Sequence, residues 1–160
     1  MTKILEKGSM ESSWFATIDG IEMKCRPDIL INIGKGQEYY IVIDLKTTDE
    51  PTKDNFIKSG GRFMYHLQEQ HYRKVLAANN IHVQEFLFLM IGKKEGTNAE
   101  FYKWTQTAQE LGEEMWNKAV KKYKFCRDND MWLESEFDFF ANKFQPVTEC
   151  DLPNYMYYLY

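Results

Sequence analysis

Two neighbouring segments, residues 21–33 and 38–46, each place an aliphatic residue at every second position. Ile29, Ile31 and Ile33 stand in the first, and Ile41, Ile43 and Leu45 in the second. Side chains of a strand alternate between its faces, so residues of one parity share a face. Slipping the pairing of two strands by one residue moves a whole set to the wrong side. Only an odd-with-odd register keeps these six together against one core. A turn centred on Gly36, within Gly34-Lys35-Gly36-Gln37, does this. It sets Ile31 opposite Ile41, Ile29 opposite Ile43, and Asp28 opposite Asp44. The even positions carry Lys24, Arg26, Asp28 and Asn32 on one strand, and Tyr40, Val42, Asp44 and Lys46 on the other.

Opposed Cβ atoms lie only about 5 Å apart. The register therefore brings two carboxylates together with Lys46 beside them. Paired carboxylates repel unless a proton, a cation or both intervene, and one lysine offsets only part of their charge. All-oxygen coordination suits Mg²⁺ or its substitute Mn²⁺, commonly held by one or two carboxylates with water and substrate phosphate. The plainer reading is an exposed edge hairpin with surface charges, for which the flanking residues are too apolar.

The rest of the chain reads as a mixed α/β domain, a central mixed sheet flanked by helices, spanning residues 1–160 as one unit. Residues 12–18 form a strand before the hairpin turn Asp19-Gly20. Pro51 and Asp54 open a helix running to about Asn79, weakened by Gly60-Gly61. Residues 84–91 form a strand covered on both faces, residues 99–104 pair with it, and residues 106–125 form a second long helix. Hydrophobic residues make up 44 % and aromatics 16 %, enough for a sizeable core and too much for disorder. No apolar run approaches a membrane span, and the first residues lack a signal-peptide layout. Cys25, Cys126 and Cys150 form no metal-binding spacing and read as reduced thiols of an intracellular protein. The net charge of −4 argues against a protein coated in positive charge to grip nucleic acid. One locally basic run, Lys118, Lys121, Lys122, Lys124 and Arg127, reads as a solvated helix face.

On the first long helix Gln68 and Tyr72 are four apart and share a face. Phe63, Leu67 and Leu76 mark the core-facing stripe. A helix returning over the sheet from strand 38–46 would overhang the carboxylates with Gln68 and Tyr72; on spacing alone they are an ordinary half-buried polar pair. His66, His71 and His82 show no ligand pairing and read as structural or exposed.

The ordered set Asp28, Asp44-Leu45-Lys46 and Gln68-x-x-x-Tyr72 resembles the PD-(D/E)xK nuclease superfamily, in its RecB-type branch with the Q-x-x-x-Y helix. Arg26-Pro27-Asp28, Asp44-Leu45-Lys46-Thr47-Thr48 and Tyr65-His66-Leu67-Gln68 look closer still to the exonuclease VIII (RecE-like) phage and prophage recombination nucleases. Glu11-Ser12, Trp132 and Leu152-Pro153 agree with this. The resemblance implies a restriction-endonuclease-like core and Mg²⁺-dependent hydrolysis of DNA phosphodiesters. It implies that Asp28, Asp44 and the Leu45 carbonyl hold the metal, and that Lys46 orients the attacking water. Gln68 and Tyr72 would position the site and the strand. By strand parity Arg26 shares the carboxylates' face and could clamp a phosphate, with Lys24 a weaker candidate. The family carries a helical segment upstream of the first strand, with a further histidine or glutamate ligand. This chain starts almost at that strand and is expected to lack it. The four-cysteine iron–sulfur branch is not matched.

The expected activity is a DNA exonuclease processing double-stranded ends, 5′-to-3′ by resemblance, in phage-type recombination. Expected partners are DNA, a single-strand annealing protein and further copies of the chain in a homo-oligomer, without a membrane. The setting would be the cytoplasm of a bacterial host, with a phage or prophage origin. Two other readings stand beside it: a catalytically incomplete nuclease-fold module that binds DNA or a partner protein without cutting, and an endonuclease on the same fold.

Overall fold

A computed structural model of the protein describes residues 8–34, 39–94, 96 and 98–132. In chain order the elements are β1 (Gly8–Met10), β2 (Trp14–Ile18), β3 (Ile21–Cys25), β4 (Ile29–Asn32), β5 (Tyr39–Thr48), α1 (Lys53–Arg62), α2 (Tyr65–Ala77), β6 (His82–Gly92), β7 (Ala99–Tyr102) and α3 (Gln106–Asn129). Five strands make a mixed sheet in the order β1-β4-β5-β6-β7, with β5 and β6 parallel and the other neighbours antiparallel. β2 and β3 form a separate two-stranded hairpin. The chain divides into two compact units, Met1–Ala119 and Val120–Tyr160. The second holds, among the described residues, the end of α3 and Trp132, whose ring meets Tyr123 edge-on at 5.4 Å. No helix among the described residues is long and apolar enough to cross a membrane.

The β4–β5 pairing has the expected register, with Ile29 opposite Ile43 and Ile31 opposite Ile41. The turn proposed around Gly36 lies outside the described residues. Asp19 and Gly20 both take positive φ, 52° and 74°, and close the β2–β3 hairpin with Ile18 opposite Ile21. That pair of left-handed residues matches the right-handed twist of the strands they join.

The segment 21–33, expected as one strand, is two. Proline has no N–H for a sheet ladder, and at Pro27 the chain leaves one partner for another: β3 pairs with β2, β4 with β5. The inward parity inverts across the break. Met23 and Cys25 of β3 face the same core as Leu30 of β4. The aliphatic set also lies otherwise than expected. The larger core forms on the even face, around Leu30, Val42, Phe56, Val75, Leu76, Phe86, Phe88 and Met90. Ile29, Ile31, Ile43 and Leu89, with Ile41 and Leu87, form a smaller cluster on the opposite face. There Ile33 and Leu45 stay exposed, and an apolar hollow of about 580 Å³ runs from Met10 to Phe101.

The helix expected from Asp54 to Asn79 is two helices. Thr52 caps α1, its hydroxyl accepting from the Asn55 N–H. The break falls at Met64, which takes φ 54° and ψ 46°. Phe63, expected in the core stripe, is exposed there, while Leu76 is fully buried. Gly60 is needed inside α1 because a side chain at that position would collide with the Trp104 ring. α2 ends where Asn80 turns left-handed (φ 61°), with Ile81 N–H on the Leu76 carbonyl and Asn80 N–H on that of Ala77. This pair of bonds satisfies the last carbonyls, and Ile81 joins Leu76 in the core.

Candidate functional site

The connection β5–α1–α2–β6 lays α2 over the even face of β5. Asp44 and Lys46 point toward it from one side of the strand, and Gln68 meets them from the helix. Lys46 Nζ lies 2.6 Å from Asp44 Oδ2 and donates to Gln68 Oε1 at 3.0 Å. Gln68 Nε2 donates to Asp44 Oδ1 at 2.8 Å. The orientation of the amide follows from chemistry: an ammonium can only donate and a carboxylate can only accept, so the amide oxygen faces Lys46 and its nitrogen faces Asp44. The three side chains form a closed ring of interactions.

Asp44 is only 3 % exposed. Burial pushes its carboxyl above the usual carboxylate range; Lys46 pulls it back down, Asp28 adds to the rise, and Gln68 opposes it. Its Oδ2 touches Lys46 as an ion pair but accepts no directed hydrogen bond. A buried carboxylate oxygen in that condition has a lone pair for a cation.

Asp28 arrives by a different route. Ile33 and Tyr39 share a ladder bond of 2.9 Å, so the odd pairs of this hairpin are the hydrogen-bonded ones. Continuing the register past Ile29 and Ile43 brings Asp28 opposite Asp44 and Pro27 opposite Leu45. Pro27 has no N–H to offer the Leu45 carbonyl. The Leu45 N–H is taken by the Asp28 carboxylate, Oδ2 accepting at 2.7 Å. The proline thus ends the ladder, orients Asp28 by a side-chain bond, and leaves the Leu45 carbonyl without a β4 donor. Two carboxylates and a carbonyl are the oxygen set that suits Mg²⁺. Among the described residues no group of three or more His, Cys, Asp or Glu side chains could hold a metal.

Tyr72, one turn beyond Gln68, reaches the Arg26 carbonyl at 3.4 Å and ties α2 to the segment leading into Asp28. Burial raises its hydroxyl above the usual tyrosine range. Arg26 is exposed beside this segment. Lys24 does not share the carboxylate face, because the inversion at Pro27 turns it to the solvent side of the β2–β3 hairpin.

Three residues near the site carry more than the sequence suggested. The Tyr65 ring lies under Lys46, 4.5 Å from Nζ to the centroid; its place three residues before Gln68, on the same helix face, was the available signal. His71 accepts from Trp116 Nε1 through Nδ1 at 3.3 Å, so its proton sits on Nε2 and bonds the Lys24 carbonyl at 2.9 Å. Glu69 is fully buried against Arg73 (2.8 Å) and Gln109 (3.0 Å). Burial lifts its carboxyl above the usual range despite Arg73. His66 packs against Met115 and Trp104, and His82 is exposed. Glu11 meets the site through its backbone, its N–H on the Asp28 carbonyl at 3.0 Å. Leu152-Pro153 lies outside the described residues.

A solved structure described as "Putative exonuclease" from Eubacterium rectale shares this fold, with a TM-score of 0.63 at 15 % identity. The match covers 95 % of this chain and 57 % of that one, so the chain spans little more than half the length of that neighbour. A second structure, SSO0001, aligns with a TM-score of 0.40 at 19 % identity, covering 67 % of this chain and 48 % of the other. Comparison with curated protein sequences finds no match. The family model of the PDDEXK-like domain of unknown function (DUF3799) matches residues 1–136. With Asp44 and Lys46 on β5 and Asp28 just before β4, the chain belongs to that PDDEXK-like family, and the family supports a nuclease.

Proposed function

We propose that the chain is a Mg²⁺-dependent deoxyribonuclease, an exonuclease of the RecE-like kind that hydrolyses double-stranded DNA from its ends. The observation that carries this reading is the closed Asp44–Lys46–Gln68 ring beside Asp28. Asp28, Asp44 and the Leu45 carbonyl would hold the metal. Bound Mg²⁺ would neutralise the phosphate and lower the pKa of its water. Lys46 has three N–H donors; Gln68 accepts from one while Asp44 holds the ammonium as an ion pair, and a remaining donor can orient the attacking water and stabilise charge developing on the phosphate. Gln68 keeps Lys46 and Asp44 in one geometry, and Tyr72 steadies the approach to Asp28. Exposed Arg26 can pair with a neighbouring phosphate. Water adds to phosphorus, one P–O ester bond breaks, and the departing oxygen takes a proton. The exonuclease description of the Eubacterium rectale protein is consistent with action at ends. A 5′-to-3′ polarity, a role in phage-type recombination, an annealing-protein partner and a homo-oligomer belong to the same reading by resemblance.

The test is cleavage of linear duplex DNA labelled at the 5′ or the 3′ end, with and without Mg²⁺, beside closed circular DNA. Metal-dependent loss of the 5′ label from linear duplex, with circles untouched and Lys46→Ala inactive, is expected. Nicked circles would establish an endonuclease instead. Binding without cleavage by the folded protein would establish a module that grips DNA and does not cut it.

A further inference from the structure

We infer that Phe63, with Arg62, forms a stacking subsite for a nucleobase of the strand whose phosphate lies at Asp28, Asp44 and Lys46. This rests on the nuclease reading above. The core aromatics do not stop at the surface. Phe88, buried in the sheet, stacks on Tyr65 at 5.6 Å and 18°. Tyr65 in turn stacks on Phe63 at 6.1 Å and 21°. The column therefore runs from the core, past the ring that carries Lys46, to a phenylalanine that is 60 % exposed. The Arg62 guanidinium lies over its outer ring at 5.3 Å.

The backbone is bent to put it there. Met64 carries a Cβ yet adopts the left-handed conformation, which such residues avoid, and α2 begins on it without a side-chain cap. Strain of this kind persists where the surrounding structure holds it, and it gathers at ligand-binding places. A straight helix would have kept Phe63 on the core stripe read from the sequence. The break instead leaves Phe63 and Met64 exposed side by side, with Phe63 against the Tyr65 ring that carries Lys46.

The chemistry selects the occupant. An aromatic face with an arginine beside it takes a nucleobase and its phosphate, because every base has a π-face and stacking tolerates any sequence. The contacts of 4.5 Å and 6.1 Å put Phe63 within about three base steps of Lys46, at roughly 3.4 Å each. The positive charge of Arg62 over the ring distinguishes this patch from the hollow on the opposite face of the sheet, whose lining is mostly apolar and whose charged side chains, Glu11 and Asp28, are acidic.

The test uses oligonucleotide duplexes with a frayed end carrying 2-aminopurine at successive positions. The Asp44→Asn background removes a proposed metal ligand and leaves the strand uncut. Fluorescence quenching at one position near the end is expected. Phe63→Ala should abolish that quenching and weaken binding about tenfold, and Phe63→Trp should preserve both. Phe63 is exposed, so circular dichroism of the alanine variant should match the parent. Unchanged affinity and quenching in Phe63→Ala overturn the subsite while leaving the nuclease reading intact. Quenching at no position in the parent overturns it too. Failure of the unaltered chain to bind or cut any DNA overturns the nuclease reading and the subsite with it.

Discussion

Gln68→Leu isolates what the amide contributes, because leucine keeps a comparable bulk and removes both of its polar atoms. Asp44 loses the donor to Oδ1 and Lys46 loses an acceptor. A buried polar group left unsatisfied costs about 1–3 kcal/mol. Asp44 is 3 % exposed and water cannot readily replace the amide, whereas the Lys46 side chain is 19 % exposed and can recover a water. The net loss is therefore about 2 kcal/mol, or roughly 4–8 °C in Tm for a chain of this size. The loss depends on pH in a direction the structure dictates. Burial already holds Asp44's folded carboxyl above its unfolded range, and Gln68 pulls it down. Removing Gln68 raises it further. The deficit is then full above the variant's folded-state pKa and shrinks as pH falls through it, since a protonated carboxyl no longer needs the donor. Thermal denaturation of both proteins, from neutral pH down through the acid range, reads this directly. A deficit constant across that range, or none at neutral pH, would refute the bridge between Gln68 and an ionised Asp44.

Pro27→Ala restores an N–H opposite the Leu45 carbonyl; Mn²⁺ titration calorimetry should show weaker binding, while denaturant unfolding shows little loss of stability. Gly60→Ala and Gly61→Ala should part in sign. The first meets the Trp104 ring and should lose about 1–3 kcal/mol, whereas the second meets open space and should gain up to about 1 kcal/mol from helix propensity, both by urea unfolding. Glu69→Ala removes the buried partner of Arg73 and should cost about 3–5 kcal/mol in the same assay, with no requirement for metal. Burial pushes the Cys25 thiol to about 12, so the native protein at neutral pH should resist iodoacetamide there until it unfolds.

The carboxylate pair was legible because strand parity and register are local rules: once Ile31 faces Ile41, little freedom remains for Asp28 and Asp44. The spacing of Gln68 and Tyr72 was legible for the same reason, as both lie on one helical face. The division of residues 21–33 was not. Its sign, Pro27, is visible, but which strands the two halves join depends on the partners each finds. The kink at Met64 had no sequence marker, since methionine is not a residue expected at positive φ. It displaced Phe63 from the stripe where periodicity had placed it. Glu69 gave no signal either; burying a carboxylate depends on Arg73 one turn away and on Gln109 from a distant helix.

By itself the sequence determined the chemistry of the site: two acids, a lysine and a glutamine, at positions that alternation and helical period bring to one surface. Those rules act over a few residues, and a reader of the chain can apply them without knowing the fold. Which face of the sheet becomes the main core was decided only in three dimensions. Both faces of β5 and β6 are apolar enough to be buried, and α1 and α2 cover one of them. Covering the Asp44 face is what buries that carboxylate, raises its proton affinity and closes the ring with Lys46 and Gln68. Burial depends on what packs above a residue, and that is a property of the whole chain rather than of any stretch of it.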